Sequence, residues 1–325
     1  MFIRFASAAS AVALAATFAA PALAGEANVA AAVETETRTE ITVVDPAAPA
    51  PAAAAPTSLA MPAIAPVDMA TASKQAEDTP AITISGSATL TSDYRFRGVS
   101  QSDEGMAVQG GFTISHESGL YVGTWGSNLA GWGTFGGANM ELDIYAGYKL
   151  PVGEGTLDVG GTWFMYPSGA DTTDFVEFYA KLGGSVGPVG LTATVAYAPQ
   201  QEALGNAFPV GAPADPGDKE DNLYLAGDAT YGIPDLPVTL KAHIGYSDGN
   251  PGLGPNGTSI APTGTYFDWL VGADVTPIAG LTLSVAYVDT DISEAEANRI
   301  RPNFATLDGK SISDATVVFS ITAAF

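Results

Sequence analysis

Charged side chains recur at every second position in several stretches of this chain, which is strongly acidic overall. Asp and Glu number 35 against 12 Lys and Arg, so the formal net charge is −23. Glu141 and Asp143 alternate with Leu142 and Ile144, and in an extended chain this spacing turns the charges to one face and the apolar groups to the other. Such a charged face can attract, exclude or bind ions. The acidic excess argues against nucleic acid as a partner.

Two motifs resemble ligand-binding sites, but in each case residues within or beside the motif exclude that kind of site. Residues 252–257 match the pattern G-x-G-x-x-G, but Pro251 and Pro255 exclude the helix that a dinucleotide-binding turn requires. Asp289 opens a stretch like a calcium-binding loop, yet Glu294 stands where that loop needs glycine. The chain has no cysteine and two histidines, which limits nucleophilic and metal chemistry. We therefore expect no enzymatic activity, no metal site and no cofactor.

The charged positions belong to a period-two pattern that begins at Ala81 and indicates β-strands with two unlike faces. About twelve segments show this pattern, at 82–97, 106–116, 119–129, 138–150, 155–166, 174–186, 189–198, 222–232, 237–248, 266–276, 280–291 and 314–325. Their connections alternate between short turns and longer loops, which is typical of membrane barrels. The sequence thus predicts an all-β fold, a transmembrane antiparallel β-barrel of about twelve strands.

The outer face of this predicted barrel is apolar enough for lipid. Mean hydropathy is +0.18 despite the charge, and beyond the N-terminus no run of about 18 apolar residues offers a spanning helix. Aromatic residues fall at strand ends on the apolar face, where rings prefer the headgroup level of a membrane. They are Tyr148, Tyr231 and Phe325 at one end, and Tyr197, Tyr246 and Tyr287 at the other. A soluble barrel, the alternative, would carry its apolar residues inside.

The same alternation turns a set of charged side chains into the barrel. These are Asp93, Arg95, Arg97, Glu141, Asp143, Asp158, Glu177, Lys181, Asp228, Lys241, Asp268 and Asp274. Charges are costly against lipid and ordinary in a wet lumen. We interpret them as the selectivity lining of a pore; the alternative is a salt-bridged plug that stiffens a narrow barrel. Eight acidic groups against four basic ones predict a cation preference, unless Arg95 and Arg97 line the narrowest section.

The N-terminal part of the chain differs from the barrel segment. Arg4, an apolar run and the small residues Ala22 and Ala24 predict a signal peptide at 1–24 that is cleaved on export. Residues 25–80 are rich in Ala and Pro and cannot bury enough apolar surface to fold alone. We expect a disordered periplasmic linker there, with contact to a partner as the alternative.

The barrel segment, residues 81–325, ends in an amphipathic strand. Val317, Phe319 and Ile321 alternate with polar or small residues, and the chain finishes on Phe325. Such a strand resembles the signal by which the barrel-assembly machinery binds its clients, so we predict that Phe325 carries that signal. The expected location is the bacterial outer membrane, with outer-membrane lipid as a partner.

Two stretches of the barrel segment resemble a known family. Residues 92–102 read SDYRFRGVSQS, and residues 110–128 read GGFTISHESGLYVGTWGSN. Both are similar to the opening of the TorF family of porin-like proteins. The resemblance is densest over 84–150 and does not cover 25–80. It implies an outer-membrane, porin-like role without naming a solute.

Together these features predict a channel for the passive diffusion of small hydrophilic solutes. The competing hypothesis is a non-conducting structural or interaction barrel, whose Ala/Pro-rich segment contacts periplasmic partners. A barrel for apolar solutes is disfavoured, because few large apolar residues are predicted to face the lumen.

Overall fold

The computed structural model describes residues 81–205, 208–209, 217–300, 304–306 and 308–325. The predicted signal peptide at 1–24 and linker at 25–80 lie outside the described residues. Within the described part of the chain, no helix is long and apolar enough to cross a membrane.

Twelve long antiparallel strands of the described residues close into one barrel, as the sequence predicts. They are β1 (Ile82–Thr91), β2 (Ala107–His116), β3 (Leu120–Asn128), β4 (Met140–Val152), β5 (Gly155–Met165), β6 (Phe175–Val186), β7 (Val189–Gln201), β8 (Glu220–Gly232), β9 (Val238–Gly249), β10 (Tyr266–Ile278), β11 (Leu281–Thr290) and β12 (Thr316–Ala324). Each strand pairs with its neighbours along the chain, and β1 pairs with β12. Because the sheet closes on itself, it has no open edge to pair with other chains.

The connections differ at the two ends of the barrel. One end, called the turn end, has short turns at 117–119, 153–154, 187–188, 233–237 and 279–280. The opposite loop end carries the connections 92–106, 129–139, 166–174, 202–219, 250–265 and 291–315. In two of the turns Gly153 and Gly187 adopt left-handed φ values of 60° and 59°, which glycine reaches without a steric penalty. The alternation of turn and loop lengths that the sequence predicts is confirmed.

Side chains on the two faces of the barrel wall differ in polarity. Large apolar residues such as Ile84, Phe178 and Phe319 face outward and are exposed. Tyr197 and Tyr287, from the predicted aromatic girdle, are exposed on the same surface. Inward positions carry mainly charged, hydroxyl, small or tyrosine side chains, apart from a small apolar cluster on β10, β11 and β12. Apolar outside and polar inside is the distribution of a barrel that lies in lipid.

The first predicted strand, 82–97, is longer than the observed one. β1 ends at Thr91, and the chain then turns into the barrel as residues 92–106, here called the inner loop. Within the inner loop Arg95–Phe96 pairs with Val99–Ser100. This short pair is also extended, so its side chains still alternate, and the sequence pattern alone could not separate it from β1.

The barrel closes where the C-terminal residue meets β1. The Gly86 amide donates to the Phe325 carbonyl oxygen, and the Phe325 amide donates back to the Gly86 carbonyl oxygen, both at 3.0 Å. A Cβ at Gly86 would lie 2.6 Å from the Phe325 ring, so the glycine leaves room for the ring on the outer wall. Phe325 is 80% exposed, which leaves it accessible to lipid or to another protein.

The closed hydrogen-bonded sheet should be detectable both by spectroscopy and by gel migration. Protein refolded in detergent should give a circular-dichroism spectrum of nearly pure β-structure. It should also migrate differently in gels before and after heating, because the closed sheet resists detergent at room temperature. A large helical signal that persists after removal of residues 25–80 would contradict the barrel.

Candidate functional site: the barrel lumen

The lumen is open to solvent at the turn end and closed at the loop end. Along β8, starting from the turn end, Thr230 is exposed, the Asp228 side chain is 38% exposed and Tyr224 is buried. Along β1, Ser85 is exposed whereas Thr91 is buried. We call the half of the lumen nearer the turn end the turn half and the half nearer the loop end the loop half.

Charged side chains on β8, β9 and β10 are paired across neighbouring strands. Lys241 Nζ lies 2.6 Å from Asp274 Oδ1. His243 Nδ1 lies 2.7 Å from Asp228 Oδ1, and His243 Nε2 lies 3.1 Å from Asp268 Oδ1. The imidazole therefore bridges two carboxylates. These contacts hold the polar groups against the wall and join acidic side chains to basic ones across neighbouring strands.

A second charged group surrounds Asp158 on β5. Tyr121 Oη donates to Asp158 Oδ1 at 2.5 Å and lies 2.5 Å from Tyr179 Oη. Lys181 Nζ is 4.7 Å from the centre of the Tyr179 ring. Lys149 Nζ is 5.6 Å from the centre of the Tyr121 ring, also within cation–π range. Both lysines stand opposite Asp158 in the strand register, so this wall places two lysines on the strands that flank one aspartate.

Tyrosines of the lumen lie over glycines of neighbouring strands. The pairs are Tyr121 with Gly147, Tyr145 with Gly123, Tyr179 with Gly160, and Tyr224 with Gly245. A Cβ at Gly123 would lie 2.5 Å from the Tyr145 ring, which shows how closely the ring approaches the glycine backbone. The glycines thus make room for the rings to rest against the wall rather than project across the lumen.

Arg97 reaches from the inner loop across the lumen to the far wall. Its Nη2 donates to Glu177 Oε2 on β6 at 2.5 Å, and its Nη1 donates to Asn222 Oδ1 on β8 at 2.8 Å. The guanidinium carbon lies 4.0 Å from the centre of the Tyr224 ring. β6 and β8 flank β7, which is the strand opposite β1 in the order of the closed sheet. The inner loop therefore spans the barrel and fills the loop half.

The backbone at Arg97 adopts a conformation that few side chains favour. Its φ is 48°, in the left-handed region that costs a non-glycine residue about 1–2 kcal/mol. Gly98 follows with φ 80°, and Tyr266 Oη donates to the Arg97 carbonyl oxygen at 3.1 Å. The contacts at both ends of Arg97 offset this strain and direct its side chain at the wall.

Arg95 holds the inner loop to the last loop of the chain. Its Nε donates to Asp93 Oδ2 at 2.6 Å, and its Nη2 donates to Glu104 Oε1 at 3.1 Å. Its Nη1 donates to the carbonyl oxygens of Ile312 at 2.8 Å and Asp314 at 3.1 Å. Arg95 is therefore a structural clamp between two loops.

Two further carboxylates lie beside the inner loop on β4. Tyr94 Oη donates to Glu141 Oε2 at 3.2 Å. Asp143 is buried, and its Oδ1 has no hydrogen-bond partner among the described residues. No group of three His, Asp or Glu side chains in the described ranges has the arrangement of a metal site.

The loops at the loop end share an apolar core. Trp132 and Phe304 pack edge to face with ring centres 5.0 Å apart. The helix α1 (Glu294–Ile300) begins with reciprocal bonds, in which the Ser293 amide donates to Glu296 Oε2 at 2.9 Å and the Glu296 amide donates to Ser293 Oγ at 3.3 Å. Hydrogen bonds from Ser293 lower the pKa of Glu296. This core covers the loop half of the lumen at the loop end of the barrel.

The predicted inward residues are all found inside the barrel wall or the inner loop. Nine of them are buried, whereas Lys181, Asp228 and Asp274 are partly exposed toward the lumen. That they line a conducting pore stays a prediction. Further side chains that the same alternation turns inward were not among the predicted lining residues: Tyr121, Tyr145, Lys149, Tyr179, Asn222, Tyr224 and His243.

A closed antiparallel sheet with an apolar outer surface, a polar lumen and one inward-folded loop defines a porin-type barrel fold. The chain belongs to a family described as "Bacterial protein of unknown function (Gcw_chp)", whose profile matches residues 75–325. The resemblance to the TorF family stays a prediction. No curated protein matches the chain.

Solved structures with similar coordinates include several membrane channels. The KdgM porin shares 8% identity at a TM-score of 0.43, covering 74% of this chain and 98% of its own. An outer membrane channel of Pseudomonas putida F1 shares 11% at a TM-score of 0.39, covering 75% and 95%. OmpF of Salmonella typhi shares 12% at a TM-score of 0.35, covering 75% and 97%. Similarity of this degree says nothing about the solute or the activity of this chain.

Proposed function

We propose that this protein is an outer-membrane channel through which small hydrophilic solutes diffuse, with a preference for cations. The gradient of exposure along the lumen carries the proposal. A diffusion path requires a polar interior that is open at both ends, and the turn end meets this requirement. At the other end the obstruction comes from the inner loop and its covering loops, and not from the strands of the wall.

The outer surface supports a location in the outer membrane. Large apolar side chains face outward on every side of the closed sheet, and a water-facing surface of this kind would be unstable. The amphipathic last strand, the predicted signal peptide at 1–24 and the resemblance of residues 92–102 and 110–128 to TorF-family porins support the same location.

The distribution of charge supports the cation preference. Among the described residues the loop half carries five acidic side chains against two arginines: Asp93, Glu141, Asp143, Glu177 and Asp268 against Arg95 and Arg97. His243, between Asp228 and Asp268, adds a positive charge only when it is protonated. The turn half is balanced, with three aspartates and three lysines: Asp158, Asp228 and Asp274 with Lys149, Lys181 and Lys241. The excess of acidic over basic side chains therefore lies beside the inner loop.

Reversal potentials in a salt gradient test this proposal. We expect planar bilayers containing the protein to pass potassium in preference to chloride. One uncompensated charge in a confined lumen contributes about 1 kcal/mol to local ion occupancy, roughly a fivefold bias. Asp143→Asn should reduce this selectivity, whereas Asp235→Asn, the same change on an exposed turn, should not. A zero or anion-selective potential would refute the charge argument.

A non-conducting barrel is the second candidate. The fully buried Arg97–Glu177 pair and the apolar core of the loops favour it, because both stiffen and seal one end. The absence of single-channel steps, both in the natural protein and in a variant with the Arg97 contact removed, would select this alternative.

A further inference from the structure

The inner loop presses a guanidinium against a group of residues that belongs to the barrel wall. Glu177 on β6 and Asn222 and Tyr224 on β8 form this group, here called the wall site. Arg97 is supplied by the inner loop, outside the strands. The two sides of the contact are therefore carried by different parts of the fold, one fixed by strand pairing and the other by loop packing.

Two of the three wall residues are held in place by contacts that do not involve Arg97. Asn222 Nδ2 donates to the Asp248 carbonyl oxygen at 3.2 Å, which turns its Oδ1 toward the lumen. Tyr224 Oη lies 2.9 Å from His243 Nε2, which fixes the ring. Asn222 and Tyr224 would thus keep their positions if Arg97 were withdrawn, and strand pairing of β6 fixes the backbone at Glu177.

The three wall residues match the chemistry of a guanidinium group. A carboxylate supplies charge, an amide oxygen accepts a second N–H, and an aromatic face covers the flat cation. Glu177 and Arg97 are each about 1% exposed at the side chain, so the recognition takes place away from bulk water.

Arg97 leaves part of the hydrogen-bonding capacity of the wall site unused. Glu177 Oε1 and Arg97 Nε both lack a hydrogen-bond partner among the described residues, although both are buried. Arg97 also holds a left-handed φ of 48° to reach the site. A guanidinium without a backbone tether could turn to meet both oxygens of Glu177, the paired geometry that carboxylates prefer.

We propose that the wall site binds small organic cations that carry a guanidinium group, and that Arg97 occupies it as an internal substitute for such a ligand. The proposal deepens the proposed function, on which it rests, because the ligand reaches the wall site from the lumen. Its binding displaces Arg97 and frees the inner loop. A tethered group acts at a high effective concentration, so the natural protein binds a free guanidinium weakly, and removal of Arg97 exposes the site.

Binding of methylguanidinium to the full-length protein in detergent tests the proposal by calorimetry. We expect Arg97→Ala to bind it at least about tenfold more tightly than the natural protein does, since the internal competitor is gone. Arg97 lies outside the barrel strands, so its loss leaves the strand ladder intact. Arg97→Gln, which keeps most of the side-chain length without the charge, provides a second variant. A difference in gel migration between heated and unheated samples verifies that each variant is folded.

Two controls assign the binding to the wall site. In the Arg97→Ala background, Glu177→Gln should abolish binding, whereas Asp158→Asn, which changes a lumen carboxylate away from the site, should leave it unchanged. Methylammonium should bind more weakly, because it lacks the paired donors. No binding by folded Arg97 variants, or equal binding after Glu177→Gln, would overturn the proposal. Binding without any conductance would support the guanidinium site and refute the channel. Conductance without binding would support the channel and refute the guanidinium site.

Discussion

Glu177→Ala is expected to release the inner loop from the lumen and to raise single-channel conductance several-fold. The substitution leaves the Arg97 guanidinium buried without its carboxylate, and an unpaired buried charge costs about 3–5 kcal/mol. The protein can avoid this cost by a local opening in which the inner loop leaves the barrel, while the strands stay paired. Conductance in planar bilayers and hydrogen exchange at residues 94–102 would both report the opening.

A matched substitution separates loop release from a general loss of lumen charge. Asp158→Ala also removes one buried carboxylate, but Asp158 contacts Tyr121 in the turn half and not the inner loop. Its conductance should stay close to that of the natural protein, with slow exchange in the inner loop. Glu177→Ala with unchanged conductance and a protected inner loop would show that the Arg97–Glu177 contact does not close the lumen.

Deletion of Phe325 is expected to cause a large drop in the amount of protein in the outer membrane, with export to the periplasm unaffected. The reason lies at the closing seam, where Phe325 exchanges both backbone hydrogen bonds with Gly86 and rests its ring on that glycine. Loss of the residue removes the last pair of the seam and the terminal aromatic group together. Quantification of the protein in separated outer-membrane and periplasmic fractions measures the effect.

Phe319→Ala provides the control for lost apolar surface. Phe319 lies on β12, the strand that Phe325 directly follows, and is exposed on the same outer face, but it lies six residues before Phe325. We expect its outer-membrane yield to stay near that of the natural protein. Gly86→Val, whose side chain would meet the Phe325 ring and the Gly111 carbonyl oxygen, should reproduce part of the deletion effect. Normal yield after deletion of Phe325 would show that the terminal residue is dispensable.

The strand pattern was readable from the sequence because each face of the wall meets one environment. Leu142 and Ile144 meet the outside, whereas Glu141 and Asp143 meet the interior, so the period of two survives along β4. Turns were readable for a similar reason, since Gly153 and Gly187 occupy conformations that other residues avoid. The strand pattern and these turns therefore depend on residues that are close together in the sequence.

The inner loop could not be predicted, because its position depends on contacts distant in sequence. Arg97 meets Glu177 and Asn222 across the lumen, and Arg95 meets the carbonyl oxygen of Ile312. Alternation reports which side chains share a face and says nothing about where a loop folds. For the same reason the sequence placed both arginines on a strand, where they would have faced a solute rather than clamped a loop.

The tyrosine–glycine pairs make the inner bore of this barrel adjustable one residue at a time. Strand number sets the diameter of the backbone cylinder, but the free width inside depends on how far the rings stand out from it. Where glycine lies beneath the ring, the ring rests against the wall and narrows the lumen only by its own thickness. A larger residue at Gly123 would tip Tyr145 toward the axis and convert part of the lining into a constriction. Pores of graded width could therefore be made from this scaffold without altering its strand count.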